Sequence, residues 1–300
     1  MQFANSKKVE RLCDLPSYFS LVYKGQNDYP FENPFDIQES PSFFEKFLSS
    51  KNKQKLIMIR ISTLILSMCC LFIGNFSAEA QSEKLPNAQT LLERSIQYHD
   101  PGAAWGKGIW QLNFYESRPD ACYRLSGVYM DHKADLFRLT QQIDQNQVIR
   151  EVKAGVCQSQ LNGRSDFSSK EAESFGLNCD RNTMYRNYFN YLWGMPMKLK
   201  DPGTRIDPVI KQKDFFGKQV LEMRVTYDPE VGKDIWYFYF HPETYALEGY
   251  RFYHDESAND GEYILFEGEV MRNGVKFPAR RTWYTHKEDK VLGTDELLSY

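Results

Sequence analysis

Four groups of residues in this 300-residue chain have types and spacing that could do chemistry. His99-Asp100 sets an imidazole beside a carboxylate, a combination able to take a proton from a nucleophile. The pair also ends a helical stretch, where a histidine commonly bonds the last carbonyls, so a capping role stands beside the catalytic one. Arg281 falls, by strand alternation, on the same face as Phe277 and Trp283. A cation on an apolar face suits a carboxylate or a lipid headgroup; a one-residue slip would expose it and bury Arg280 instead. The segment 184–197 brings Met184, Tyr188, Tyr191, Leu192, Trp193, Met195 and Met197 together. Methionine and aromatic side chains make adaptable walls for apolar ligands, and the same spacing also serves plain core. The acidic stretch 254–262, His-Asp-Glu-Ser-Ala-Asn-Asp-Gly-Glu, invites a metal.

That last invitation fails on spacing. Asp260 stands where the calcium loop of an EF-hand needs glycine, and Phe266 where it needs a glutamate. His99, His132, His241, His254 and His286 form no short paired motif for zinc. No Gly-x-Ser-x-Gly nucleophile elbow occurs. The expectation is therefore a hairpin loop at 254–262, no metal, no cofactor and no assigned catalytic residue.

The elements that must position these groups are legible in outline. Residues 87–98, NAQTLLERSIQY, read as a short amphipathic helix with Asn87 as its N-cap, ended by Asp100-Pro101-Gly102. Strand-like runs follow over 108–116, 122–130, 136–143, 146–155 and 157–163, separated by Gly, Asn, Asp and Pro in the manner of an antiparallel meander. Helical spacing interrupts at 168–176 and 180–194. Hairpins return over 209–228, 234–255 and 262–286, with Asn273-Gly274 the strongest turn signal. Leu221, Met223 and Val225, then Trp236, Phe238 and Phe240, then Tyr250 and Phe252 share one broad apolar face with Ile264, Phe266, Val275, Phe277 and Trp283. Tyr237, Tyr239 and Tyr253 decorate the other side. The absence of βαβ alternation argues against Rossmann and TIM-barrel enzymes.

Residues 58–81, MIRISTLILSMCCLFIGNFSAEAQ, read as a secretory leader: Arg60, an apolar run of about 14 residues, and Ala78-Glu79-Ala80 for cleavage after Ala80. Residues 1–57 then form a non-native or disordered extension, and 81–300 a single exported domain, periplasmic or beyond, touching membrane only if the leader stays uncleaved. Cys122, Cys157 and Cys179 follow the leader. In an oxidising compartment an odd count favours one bridge, Cys157–Cys179, over three separate buried thiols. A net charge of -3 without any basic block excludes nucleic acid as a partner. Aromatic residues make up 15% of the chain, which suits pleated sheets and apolar pockets.

Several stretches carry a resemblance: YHDPGAAW (98–105), MYRNYFNYLWGMPMKLKDPGT (184–204), VTYDPEVGKDIWYFYFHPETYAL (225–247), YRFYHDESANDGEYILFEGE (250–269) and WYTHKEDKVLGTD (283–295). They resemble an exported family of unknown function from the Bacteroidota. The order helix, long meander, helical insert is also similar in architecture to the Lol-type periplasmic lipoprotein carriers. That second likeness implies an incomplete antiparallel barrel whose concave face, covered by helices, holds acyl chains or another apolar ligand.

The chain is thus read as α+β, a curved antiparallel sheet with an N-terminal helix and a helical insert on its concave face. An apolar or lipid-like ligand is expected against Met184, Tyr188, Tyr191, Trp193, Met195, Trp236, Phe238, Tyr250, Phe252 and Trp283, with Arg281 or His99 orienting a polar head. The alternatives are an envelope hydrolase using His99, Asp100 or the 254–262 loop, and a non-catalytic structural or partner-binding protein.

Overall fold

A computed structural model describes residues 85–119 and 121–298. The extension 1–57, the leader 58–81 and the cleavage point after Ala80 lie outside the described residues. The described residues open on α1 (Ala88–His99), whose N-cap Asn87 accepts from the Thr90 amide at 2.8 Å. Five strands follow in sequence: β1 (Ile109–Arg118), β2 (Ala121–Asp131), β3 (Leu136–Ile143), β4 (Asn146–Lys153) and β5 (Val156–Leu161). Two helices interrupt, α2 (Ser169–Phe175) and α3 (Cys179–Trp193), capped by Ser168 and Asn178. A second run completes the chain: β6 (Thr204–Ile206), β7 (Lys211–Phe215), β8 (Lys218–Tyr227), β9 (Ile235–Phe240), β10 (Leu247–Asp255), β11 (Asp260–Arg272), β12 (Val275–Thr285) and β13 (Val291–Leu297).

The thirteen strands of the described residues form one antiparallel sheet in the order β5-β4-β3-β2-β1-β13-β12-β11-β10-β9-β8-β6, with β7 also on β8. The end strands do not pair with each other, so the sheet is an open barrel. β13 is the join: it pairs β1 on one side and β12 on the other, making one surface of the two meanders. The β11–β12 hairpin turns at Asn273 and Gly274, both at positive φ (48° and 79°), the twist that suits a two-residue connection. Register then pairs Val270 with Phe277, Phe266 with Arg281 and Ile264 with Trp283.

The helices cover the concave side. α1 contributes Ala88, Leu91 and Leu92, and α3 contributes Leu192, to a core built on Met223, Val225, Phe238, Phe240, Tyr250, Phe252 and Ile264. The other half is packed around Trp105, Trp110, Phe114, Val128, Leu139, Phe189, Trp193 and Phe277. A disulfide joins Cys157 on β5 to Cys179 at the first turn of α3, with Cα atoms 5.5 Å apart, and ties that helix to the edge of the sheet. Among the described residues no helix is long and apolar enough to cross a membrane.

Candidate functional site: a buried cation on an aromatic concave face

Arg281 sits near the middle of the sheet on β12, opposite Phe266 of β11 and Asp295 of β13. Strand alternation aims it inward, and it is only 1% exposed. Its neighbour Arg280 points out and pairs with Glu296 at 2.6 Å and Glu267 at 3.2 Å. The guanidinium of Arg281 lies 3.7 Å over the Trp193 ring and 5.1 Å from the Phe266 ring. Its Nε and Nη1 have no hydrogen-bond partner. Burial disfavours the charge and lowers the pKa, while Tyr250, Tyr188 and Asp295 act the other way; a guanidinium nonetheless stays protonated in proteins. A buried charge with two nitrogens left unbonded is a costly arrangement, of the order of several kcal/mol.

The surroundings are mostly aromatic. Tyr250 is fully buried, its hydroxyl has no partner, and burial pushes its pKa up to about 12. Tyr188 on α3 stacks on Trp283 at 6.1 Å, and burial lifts its hydroxyl well above the usual range. Trp236 stacks on Phe252 at 4.7 Å and meets the Tyr191 ring edge at 5.8 Å. The Tyr191 and Tyr227 hydroxyls are hydrogen-bonded to each other. Phe238 and Met195 lie deep in the same cluster.

Across β13 the concave face turns polar. Asp295 accepts from Arg118 Nη2 at 3.0 Å and from Trp283 Nε1 at 3.1 Å; burial raises its pKa against the pull of Arg118. Glu116 takes two bonds from Arg124, at 2.7 and 2.8 Å, and a third from Ser126. Gln141 Nε2 donates to Ser126 Oγ at 3.1 Å, and Arg150 Nη1 donates to Gln141 Oε1 at 2.8 Å. Nothing in the sequence singled out this buried stripe, because its members stand at strand positions where apolar residues are expected.

The expected site residues do not all converge. Met184 is 43% exposed, outside the core, and its sulfur meets only Arg181 at 3.7 Å. The buried stripe of α3 runs through Asn182, Phe189, Leu192 and Trp193, and Met184 lies about 200° around the helix from Asn182.

His99 and Asp100 are buried and occupied. His99 Nε2 accepts from the Leu247 amide at 2.9 Å, which requires the proton on Nδ1, 2.9 Å from the Lys276 carbonyl. Its partners are strands β10 and β12 and not the carbonyls of its own helix, contrary to the capping expectation. Burial lowers its pKa, with the Lys276 bond and Glu269 opposing and the charges of Lys276 and Arg281 adding. Asp100 accepts from the Ala104 and Trp105 amides at 2.7 and 2.9 Å, at the start of the short turn of helix 105–107. Neither His99 nitrogen is left to accept a proton from a substrate.

The 254–262 stretch is the β10–β11 hairpin end, where His254 Nδ1 meets Asp234 at 2.8 Å and this bond raises its pKa. Among the described residues no three His, Cys, Asp or Glu side chains converge to hold a metal ion. Two open clefts stand out at the surface. One, about 450 Å³, is lined by Tyr98, His99, Leu247, Phe266 and Glu269 among others; the second, about 490 Å³, adjoins it at Lys218 and Glu248.

The molecule is therefore of the class of open antiparallel barrels that wrap helices on their concave face, here with an unpartnered cation inside. Residues 62–299 match the family of unknown function DUF6503, and the chain belongs to that family. No curated protein matches its sequence. Among solved structures it is similar to a LolA superfamily protein from Nitrosomonas europaea, with 12% identity over 71% of this chain and 92% of that one and a TM-score of 0.38. It is also similar to an outer membrane lipoprotein-sorting protein domain from Vibrio parahaemolyticus (14%, 70% and 91%, TM-score 0.41). A third is a DUF1329 family protein from Desulfovibrio piger (7%, 70% and 90%, TM-score 0.41).

Proposed function

We propose that this protein binds and carries an apolar, lipid-like ligand with an anionic head, in the cell envelope. One observation carries the reading: a guanidinium 1% exposed, with two nitrogens unpartnered, set among Trp193, Phe266 and Tyr250. Replacing such a group by a hydrophobic residue is often neutral or stabilising, so a role outside folding is a reason to keep it. The head would be a carboxylate or phosphate on Arg281, with the Tyr250 hydroxyl as a second donor. The apolar part would lie on Trp236, Phe238 and Phe252, at about 25 cal/mol per Å² of surface removed from water. The secretory character of residues 58–80 and the Cys157–Cys179 bridge support the envelope location.

The same interior also supports a second reading. Phe238 and Tyr250 already share a core with α1 and α3, and Trp193 of α3 packs on Phe114 and Phe277, so a ligand must displace helix contacts to lie there. A filled core of this kind suits a non-catalytic, partner-binding envelope protein. Native mass spectrometry of protein purified from its own host separates the two. A carrier shows adducts of lipid mass that Arg281→Met loses. An adduct-free spectrum, with no uptake of a fluorescent fatty acid, favours the partner-binding protein.

A further inference from the structure

The cleft beside α1 is lined by His99 and by Phe266, a neighbour of Arg281. β10 pairs with β11 only as far as Gly249 opposite Leu265; before that point Leu247 remains bonded to β9 alone. The two strands therefore part at this end. Beside this opening His99 takes the Leu247 amide of β10 on Nε2 and faces the Lys276 carbonyl of β12 through Nδ1. The 450 Å³ cleft opens below it, and one wall is Phe266, whose ring lies 5.1 Å from the Arg281 guanidinium. Phe266 thus borders the cleft and neighbours the buried cation.

We propose that this cleft is the way in to the Arg281 site and that His99 is a proton-sensitive pin holding the end of α1 over it. The proposal rests on the binding reading given above. Its chemistry is that of one nitrogen. Neutral His99 can accept from Leu247; an imidazolium would place a second N–H against the Leu247 N–H, and that bond is lost. The groups around His99 are Tyr98 and Glu269, whose 2.8 Å hydrogen bond crosses from α1 to β11. Lys276 of β12 stands 3.6 Å from Glu269 and 3.8 Å over the Tyr98 ring. Arg281 on β12 and Glu248 on β10, the latter paired with Lys218 at 2.6 Å, complete the set. Burial dominates and keeps His99 neutral. Because its pKa is lowered in the closed form, the open form binds more protons below about pH 6.5, so closure weakens as pH falls.

The test is amide exchange at Leu247 and along 88–99 in the full chain, corrected for intrinsic rates, with uptake of 11-(dansylamino)undecanoic acid followed in parallel. Between about pH 7.5 and pH 5, exchange at these sites and the dye association rate should rise about tenfold per unit below the onset of His99 titration. His99→Gln can make both bonds without titrating, so it should stay closed at both pH values; His99→Ala should be open at both. In the wild type, the exchange midpoint should coincide with the His99 ring titration read by NMR, a check that needs no variant. An unchanged exchange rate, the same pH response in His99→Gln, or a midpoint that follows another group would overturn the pin. Exchange that opens as expected with no dye bound at any pH would leave the pin and sink the binding reading on which the access role depends.

Discussion

Arg150 and Arg281 are both arginines buried on the concave face, 2% and 1% exposed, and the fold treats them differently. Arg150 Nη1 donates to Gln141 at 2.8 Å, its Nη2 to the Phe175 carbonyl at the end of α2, and its guanidinium lies 5.0 Å over the Tyr185 ring. It ends the polar stripe and fastens the helical insert to the sheet. Arg281 has a neighbour able to neutralise it, since Asp295 stands opposite on β13, but Asp295 is held by Arg118 and Trp283. The contrast separates a cation built into the structure from one left available. A structural arginine should be missed by the fold when removed, an available one by the ligand.

Removing Arg150 should therefore have the largest effect on stability. Arg150→Ala leaves Gln141 and the Phe175 carbonyl without a donor and should destabilise by about 4 kcal/mol in urea unfolding. Breaking the disulfide by Cys157→Ser, which frees α3, the other helix of the insert, should cost about 3 kcal/mol. Gly194→Ala probes the helix end beneath Arg281: its Cβ would lie 2.5 Å from Trp105 Nε1 and 2.6 Å from the Asn190 carbonyl. That overlap should cost about 2 kcal/mol, read as a lowered melting temperature. Arg281→Met should go the other way, leaving stability unchanged or raised by about 1 kcal/mol. If it instead destabilises as much as Arg150→Ala, the comparison fails. The exposed pair partner Arg280→Ala should change stability by less than about 0.5 kcal/mol.

The sequence carried the aromatic half of this arrangement and missed the polar half, for one reason. On β8 to β12 the inward positions are Met223, Val225, Phe238, Phe240, Tyr250, Phe252, Ile264 and Phe277, so alternation of apolar residues marks the face directly. The Asn273-Gly274 turn sets the hairpin that places Arg281. On β13 the buried positions are Gly293, Asp295 and Leu297, only one of them a large apolar side chain, so the strand joining the two meanders carries no apolar stripe. Glu116, Ser126, Gln141 and Arg150 obscure β1 to β4 in the same way: they bond across neighbouring strands, and Arg150 also reaches the Phe175 carbonyl of α2. His99 was readable as a helix-end histidine; its bonds reach residues 148 and 177 positions away, which no local pattern encodes.

If Arg281 holds a ligand head, as proposed, the affinity of 11-(dansylamino)undecanoic acid at neutral pH should differ between the wild type and Arg281→Met. Loss of a charge-assisted hydrogen bond to the head should weaken binding by roughly 10- to 100-fold in a variant that still unfolds cooperatively. Equal affinity in the two proteins would contradict the account.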